Sequence, residues 1–178
     1  AQYLAYEHVN ALFARRLVPL LKPDDIVWVH DYHLIPLGQR LREAGVDRPI
    51  GFFLHIPFPH IEVLRSLPVY AELVRDLAAY DLVGFQTTSD LAAFRAAIEH
   101  VYGPEALAPD GAIRIGTRRL LAGVFPIGVD VDALQGLAIE AQSHEAVKRT
   151  TASLLGRKLL VGVDRLDYSK GLLRRMDA

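Results

Sequence analysis

A rhythm of three short apolar runs constrains this chain most: Ile26 to Val29, Ile50 to Leu54 and Asp81 to Phe85, with helix-patterned stretches between them. Runs of this kind are apolar almost throughout instead of alternating, as strands are when helices cover both faces of a parallel sheet. Parallel neighbours also need a crossover between them, and the intervening stretches supply it. Pro36 to Glu43 reads as a helix with proline in its first turn and Gly45 at its end. Val69 to Ala79 is the next helix, and Asp90 to Val101 follows with Thr88 or Ser89 as its cap. The expectation is an α/β fold with a Rossmann-like, doubly wound parallel sheet.

The flanks extend the pattern. Leu4, Val9, Leu12, Phe13 and Leu17 recur at helical spacing within residues 3–20, and Pro23 and Asp24 end that helix. Residues 110–128 hold two β-rich pieces around Gly116 and predict a hairpin or strand pair. A helical stretch from Val131 to Leu155 leads to LLVGVD, read as a new strand followed by a helix. This divides the chain into most of one domain over residues 1–130, then a linker helix and the first strand–helix unit of a second domain over residues 131–178.

Composition narrows the function classes. A hydrophobic share of 51% with 23% charged residues supplies a full core and argues against disorder. A formal net charge of −1 gives no field to gather nucleic acid or an anionic membrane. The absence of cysteine removes thiolate nucleophiles and zinc–thiolate sites and suits a reducing, cytoplasmic setting. No apolar run approaches the ~20 residues of a membrane span.

Ligands of open α/β sheets sit beyond the carboxyl ends of the strands, where loops meet helix N-termini. Polar residues cluster there in this sequence: His30, Asp31 and His33 after the first run, His55 after the second, Gln86 after the third, and Asp164, Arg165 and Lys170 after LLVGV. Each has a plain structural alternative. Asp31 can cap the next helix, His55 can be a buried histidine bonded to backbone, and Arg165 and Lys170 can pair with Asp164 and Asp167 at the surface. A metal at His30 and His33 is disfavoured, because that spacing along a strand points the two rings to opposite faces. The prolines of IPFP make the loop after His55 rigid. No GxxxxGK[ST], GxGxxG or GxSxG motif occurs.

Taken as an ordered set, WVHDYHLIPL, FFLHIPFP, DLVGFQT, FPIGVD and GVDRLDYSKGL resemble the trehalose-6-phosphate synthase family, retaining glycosyltransferases of the GT-B fold. The resemblance implies transfer of glucose from UDP-glucose to glucose 6-phosphate, with UDP-glucose as donor substrate, no cofactor and no metal. It implies that Asp31 and His55 contact the sugars at the catalytic centre and that Arg165 and Lys170 hold the UDP diphosphate; it assigns Gln86 no role. A related synthase making glucosylglycerol phosphate, one using ADP- or GDP-glucose, and a non-catalytic regulatory homologue stay open, as does a homo-oligomer. His60 and Ile61 stand where family members often carry small residues or proline. The family's N-terminal glycine-bearing loop and its later acidic motif find no match here. The chain is therefore expected to be the central part of a longer enzyme, and inactive by itself.

Overall fold

The computed structural model describes residues 2–177. The chain divides into two compact units, Ala1–Ile127 and Gly128–Ala178. In the first unit, helix α1 (Gln2–Leu17) precedes strand β1 (Val27–His30), and α2 (Leu37–Glu43) leads to β2 (Ile50–Phe53). A short α3 (Ile61–Leu64) and α4 (Tyr70–Leu77) lead to β3 (Leu82–Phe85), and α5 (Thr88–Tyr102) follows. The unit closes with β4 (Ile113–Ile115) and β5 (Arg118–Val124). The sheet order is β1-β2-β3-β5-β4, parallel except for the antiparallel β4–β5 edge. That edge is the hairpin expected around Gly116, whose φ of 58° is the left-handed conformation a tight hairpin turn needs.

Strand order explains where the core lies. β1, β2, β3 and β5 step one way across the sheet, and right-handed crossovers that all step one way place their helices on one face. Val27, Val29, Ile50, Phe52, Val83 and Phe85 point to that face and are buried. The register puts Trp28, Gly51 and Leu82 in one row on the opposite face, and His30, Phe53 and Gly84 in the next. Trp28 there is 68% exposed. Within Ala1–Ile127, the face that carries Trp28 is the open one.

Helix α1 departs from its expected stripe. Leu4, Val9, Leu12 and Phe13 are exposed, while Asn10 and Ala14 are buried. Small Ala14 allows close approach, and Asn10 is tolerated because its amide donates to the Tyr6 carbonyl (3.0 Å) and the His33 carbonyl (3.2 Å). An ion pair between Glu7 and Arg40 (3.1 Å) ties α1 to α2.

Asp76 on α4 is buried with one carboxylate oxygen lacking any partner among the described residues. Burial pushes its carboxyl up to about 7; Arg40 opposes this and Glu7, Glu43 and Glu72 add to it. The folded state thus holds a proton that the unfolded chain releases near the ordinary carboxylate value. Stability from this group is highest below that value, falls as pH rises toward about 7, and is level above it. Asp76→Asn is therefore expected to raise stability by on the order of 2 kcal/mol at pH 8 and to change it little at pH 4. Denaturation curves at both pH values check this.

The second unit contains α6 (Val131–Ala141), α7 (Glu145–Ser153) and α8 (Leu172–Met176). The single helix expected over Val131 to Leu155 is broken. The Ser143 hydroxyl donates to the Glu140 carbonyl (2.8 Å), and His144 leaves the helical region with ψ 136°. Asp130 caps α6 by accepting from the Ala133 N–H (2.9 Å). The strand expected at LLVGV does not form: a strand needs a hydrogen-bonded neighbour, and residues 159–163 have none among the described residues. Leu160 and Val163 are almost fully exposed.

Candidate functional site

The carboxyl ends of β1 and β2 lie side by side, so the residues that follow them meet. Asp31 has φ 68° and ψ 165°, a region that essentially only glycine enters without strain. Backbone bonds hold it there: its N–H donates to the Phe53 carbonyl (2.8 Å), and its carbonyl accepts from the Leu34 N–H (3.1 Å). Its side chain makes no capping bond to the 3-10 turn Tyr32–Leu34, which removes the capping alternative. Its Oδ1 is buried without a partner among the described residues. A strained backbone carrying an unsatisfied carboxylate oxygen is stability given up, the pattern found where a ligand completes the bonding.

Three side chains from other elements pin the loop that carries Asp31. Asn10 holds the His33 carbonyl, and the Tyr6 hydroxyl donates to the Tyr32 carbonyl. Fully buried Tyr80 accepts from the Gly38 N–H (2.9 Å), and its hydroxyl lies 2.8 Å from the Leu34 carbonyl and 3.1 Å from that of Ile35. Glycine at 38 is required, since a Cβ there would lie 2.6 Å from the Tyr80 ring. Tyr80→Phe leaves the Gly38 N–H and a loop carbonyl unpaired in the core. It is expected to cost about 1 to 3 kcal/mol of stability, measured by chemical denaturation.

His55 follows β2, with its Nε2 2.9 Å from Nδ1 of His30 and the two rings stacked at 23°. These histidines, with Trp28, Phe53, Gln86 and Phe125, line a groove of about 600 Å³ on the open face of the sheet. Glycines make room for its aromatic walls: a Cβ at Gly84 would meet Phe53 at 2.7 Å and Phe125 at 3.1 Å. The Gln86 amide oxygen accepts from the Ile127 N–H (2.9 Å), binding the segment after β5 to the end of β3. The IPFP loop is anchored from below, where Asp90 accepts from the Phe58 N–H (3.0 Å) and from the Thr87 hydroxyl (2.6 Å). Thr87, not Thr88 or Ser89, is the cap of α5, because Asp90 three residues on completes the reciprocal pair. A second cavity, about 700 Å³, lies beside Tyr6, Tyr32 and the same loop. Its walls are mostly apolar, with Tyr6, Tyr32 and His33 as the titratable residues that line it.

The structure thus places Asp31 and His55 after the carboxyl ends of two neighbouring, paired strands. It adds His30, whose strand-end position was visible, though its pairing was not. Arg165 and Lys170 belong to the second unit, where both are exposed. The surface pairing considered for them is not made with Asp164, which binds Arg175 at 2.7 Å. Among the described residues, no hydrogen bond or ion pair is made by the guanidinium of Arg165 or the ammonium of Lys170. The chain turns at Gly171 (φ 60°) into α8, as the Ser-Lys-Gly run suggested.

This parallel α/β sheet carries a strained carboxylate, a histidine pair and an apolar groove at its strand ends, the place where proteins of this architecture bind small molecules. The profile of Glycosyltransferase family 20 matches residues 1–178. A trehalose-6-phosphate synthase of Sinorhizobium fredii is 46% identical over 173 residues, 97% of this chain and 37% of that protein. An alpha,alpha-trehalose-phosphate synthase (UDP-forming) from Burkholderia xenovorans, solved in complex with glucose-6-phosphate, is 48% identical with TM-score 0.82, covering 97% of this chain and 39% of that one. A structure from E. coli bound with UDP-2-fluoro glucose is 39% identical with TM-score 0.83, covering 97% and 38%. The chain belongs to glycosyltransferase family 20, its fold is of the GT-B type, and it spans a little over a third of the length of the relatives it matches. Among the described residues, no helix is long and apolar enough to cross a membrane.

Proposed function

We propose that the protein to which this chain contributes transfers glucose from UDP-glucose to glucose 6-phosphate, giving trehalose 6-phosphate and UDP with retention at the anomeric carbon. The observation that carries this reading is Asp31, strained and with a buried unpartnered oxygen at the end of the strand that pairs with the one leading to His55, in a chain 46% identical to a trehalose-6-phosphate synthase. The ligands bound in the Burkholderia and E. coli structures, glucose-6-phosphate and UDP-2-fluoro glucose, support the substrate pair.

The chemistry fits the residues. In UDP-glucose the bond that breaks joins the anomeric carbon to a phosphate oxygen, so the leaving group is already good and no strong acid is needed. The enzyme must hold the sugar and stabilise negative charge growing on the diphosphate, which fixed cations do best away from bulk water. In this reading Asp31 accepts hydrogen bonds from sugar hydroxyls, His55 contacts the transferring glucose, and Arg165 and Lys170 bind the diphosphate. The acceptor hydroxyl attacks from the face the diphosphate leaves, and its proton passes to the departing phosphate oxygen. The cytoplasm, which holds UDP-sugars and sugar phosphates, is the compartment this reading requires.

The test is a transfer assay with the full-length protein, radiolabelled UDP-glucose and glucose 6-phosphate. Labelled trehalose 6-phosphate is the expected product. Turnover only with another acceptor or nucleotide sugar, or none with any, would overturn the assignment.

A further inference from the structure

The histidine pair carries an inference about how the site reads its sugar, and it rests on the transferase reading above. Along β1, the Trp28 ring lies 4.4 Å from that of His30; along β2, the Phe53 ring lies 4.8 Å from that of His55. The strands pair Trp28 with Gly51 and His30 with Phe53, so all four rings stand on the open face of the sheet. The two histidines thus sit between aromatic neighbours, with His30 Nδ1 and His55 Nε2 2.9 Å apart. At that distance one nitrogen must carry a proton and the other must not.

Two arrangements satisfy this. If His30 donated from Nδ1, both neutral rings would carry their hydrogen on Nδ1, the intrinsically less favoured tautomer. If His55 donates from Nε2, both rings keep the favoured Nε2–H form. We propose that His30 is a positioning residue: by accepting from Nε2–H of His55 it locks that ring's tautomer and plane, leaving Nδ1 of His55 as a bare acceptor for a sugar hydroxyl. No hydrogen bond to that nitrogen forms among the described residues. A hydrogen bond made by one ring nitrogen sets what the other presents to the substrate.

The test uses the full-length protein. His30→Leu removes the acceptor while keeping an apolar body, and His30→Asn restores an amide oxygen near the place of Nδ1. His30→Leu is expected to lower kcat/KM for the donor sugar about 3- to 10-fold, the range for one neutral hydrogen bond, and His30→Asn to recover most of it. In a His55→Ala background His30→Leu should add nothing, because its effect passes through His55. Melting curves confirm that the variants fold. Nitrogen-15 spectra of the labelled histidines, taken without substrate, read the pair independently of the reaction. His55 should show a protonated Nε2 and a bare Nδ1, and the Nε2–H signal should shift in His30→Leu.

A full effect of His30→Leu in the His55→Ala background, no recovery by asparagine, or a bare Nε2 on His55 would overturn the proposal. Failure of the transferase reading looks different: no labelled product from the unaltered protein, with the His55 spectrum still as expected.

Discussion

Asp31→Gly in the full-length protein is expected to lose activity without losing stability. At φ 68° and ψ 165° the aspartate backbone carries strain of about 1 to 3 kcal/mol that glycine does not feel, against about 0.5 to 1 kcal/mol for the greater freedom of glycine in the unfolded chain. Removal of a buried carboxylate oxygen with no partner acts in the same direction as the strain relief. The net expectation is a variant as stable as the parent or up to about 2 kcal/mol more so. Asp31→Ala keeps the strain and should be less stable than the glycine variant by about 1 kcal/mol or more. Both should lower kcat/KM about 100-fold, the effect of losing hydrogen bonds from a charged acceptor to the substrate. Denaturant midpoints and kinetic constants for the three proteins decide the matter. An active glycine variant, or one much less stable than the parent, would show that the strain serves packing and not the substrate.

Arg165→Ala and Lys170→Ala form the second case. Their cationic groups make no ion pair or hydrogen bond among the described residues, and Asp164 is engaged by Arg175. Removing either should therefore cost little stability. If they bind the diphosphate, their attraction grows as negative charge develops on the leaving group, so the loss appears in kcat as well as in donor affinity. A loss on the order of 2 to 4 kcal/mol in transition-state binding, about 30- to 1000-fold, is expected for each. Arg165→Lys should recover only part of it, since an ammonium cannot reproduce the guanidinium fork. Unchanged kcat and unchanged UDP affinity in both alanine variants would return these residues to a solvated surface.

Much of this was legible in the sequence because it is written locally. Apolar runs at VWV, IGFF and LVGF mark strands, proline and glycine mark helix ends, and the polar residue after each run marks the edge where ligands bind. The ordered motifs also carried the family resemblance, which the match over residues 1–178 bears out. What the sequence could not show depends on partners distant along the chain. Asp31 gives no local sign of its left-handed backbone; that conformation is imposed by the Phe53 carbonyl and by a loop pinned from Tyr80 and Asn10. The face of α1 that is buried follows from a backbone carbonyl waiting for Asn10, not from the helix's own hydrophobic pattern. LLVGV has every local mark of a strand and forms none, because a strand exists only through hydrogen bonds to a neighbour. His30 and His55, 25 residues apart, become one device only when β1 and β2 pair in register. Short-range propensity determined which segments are strands and helices; strand pairing and burial decided which side chains meet and which backbone is strained.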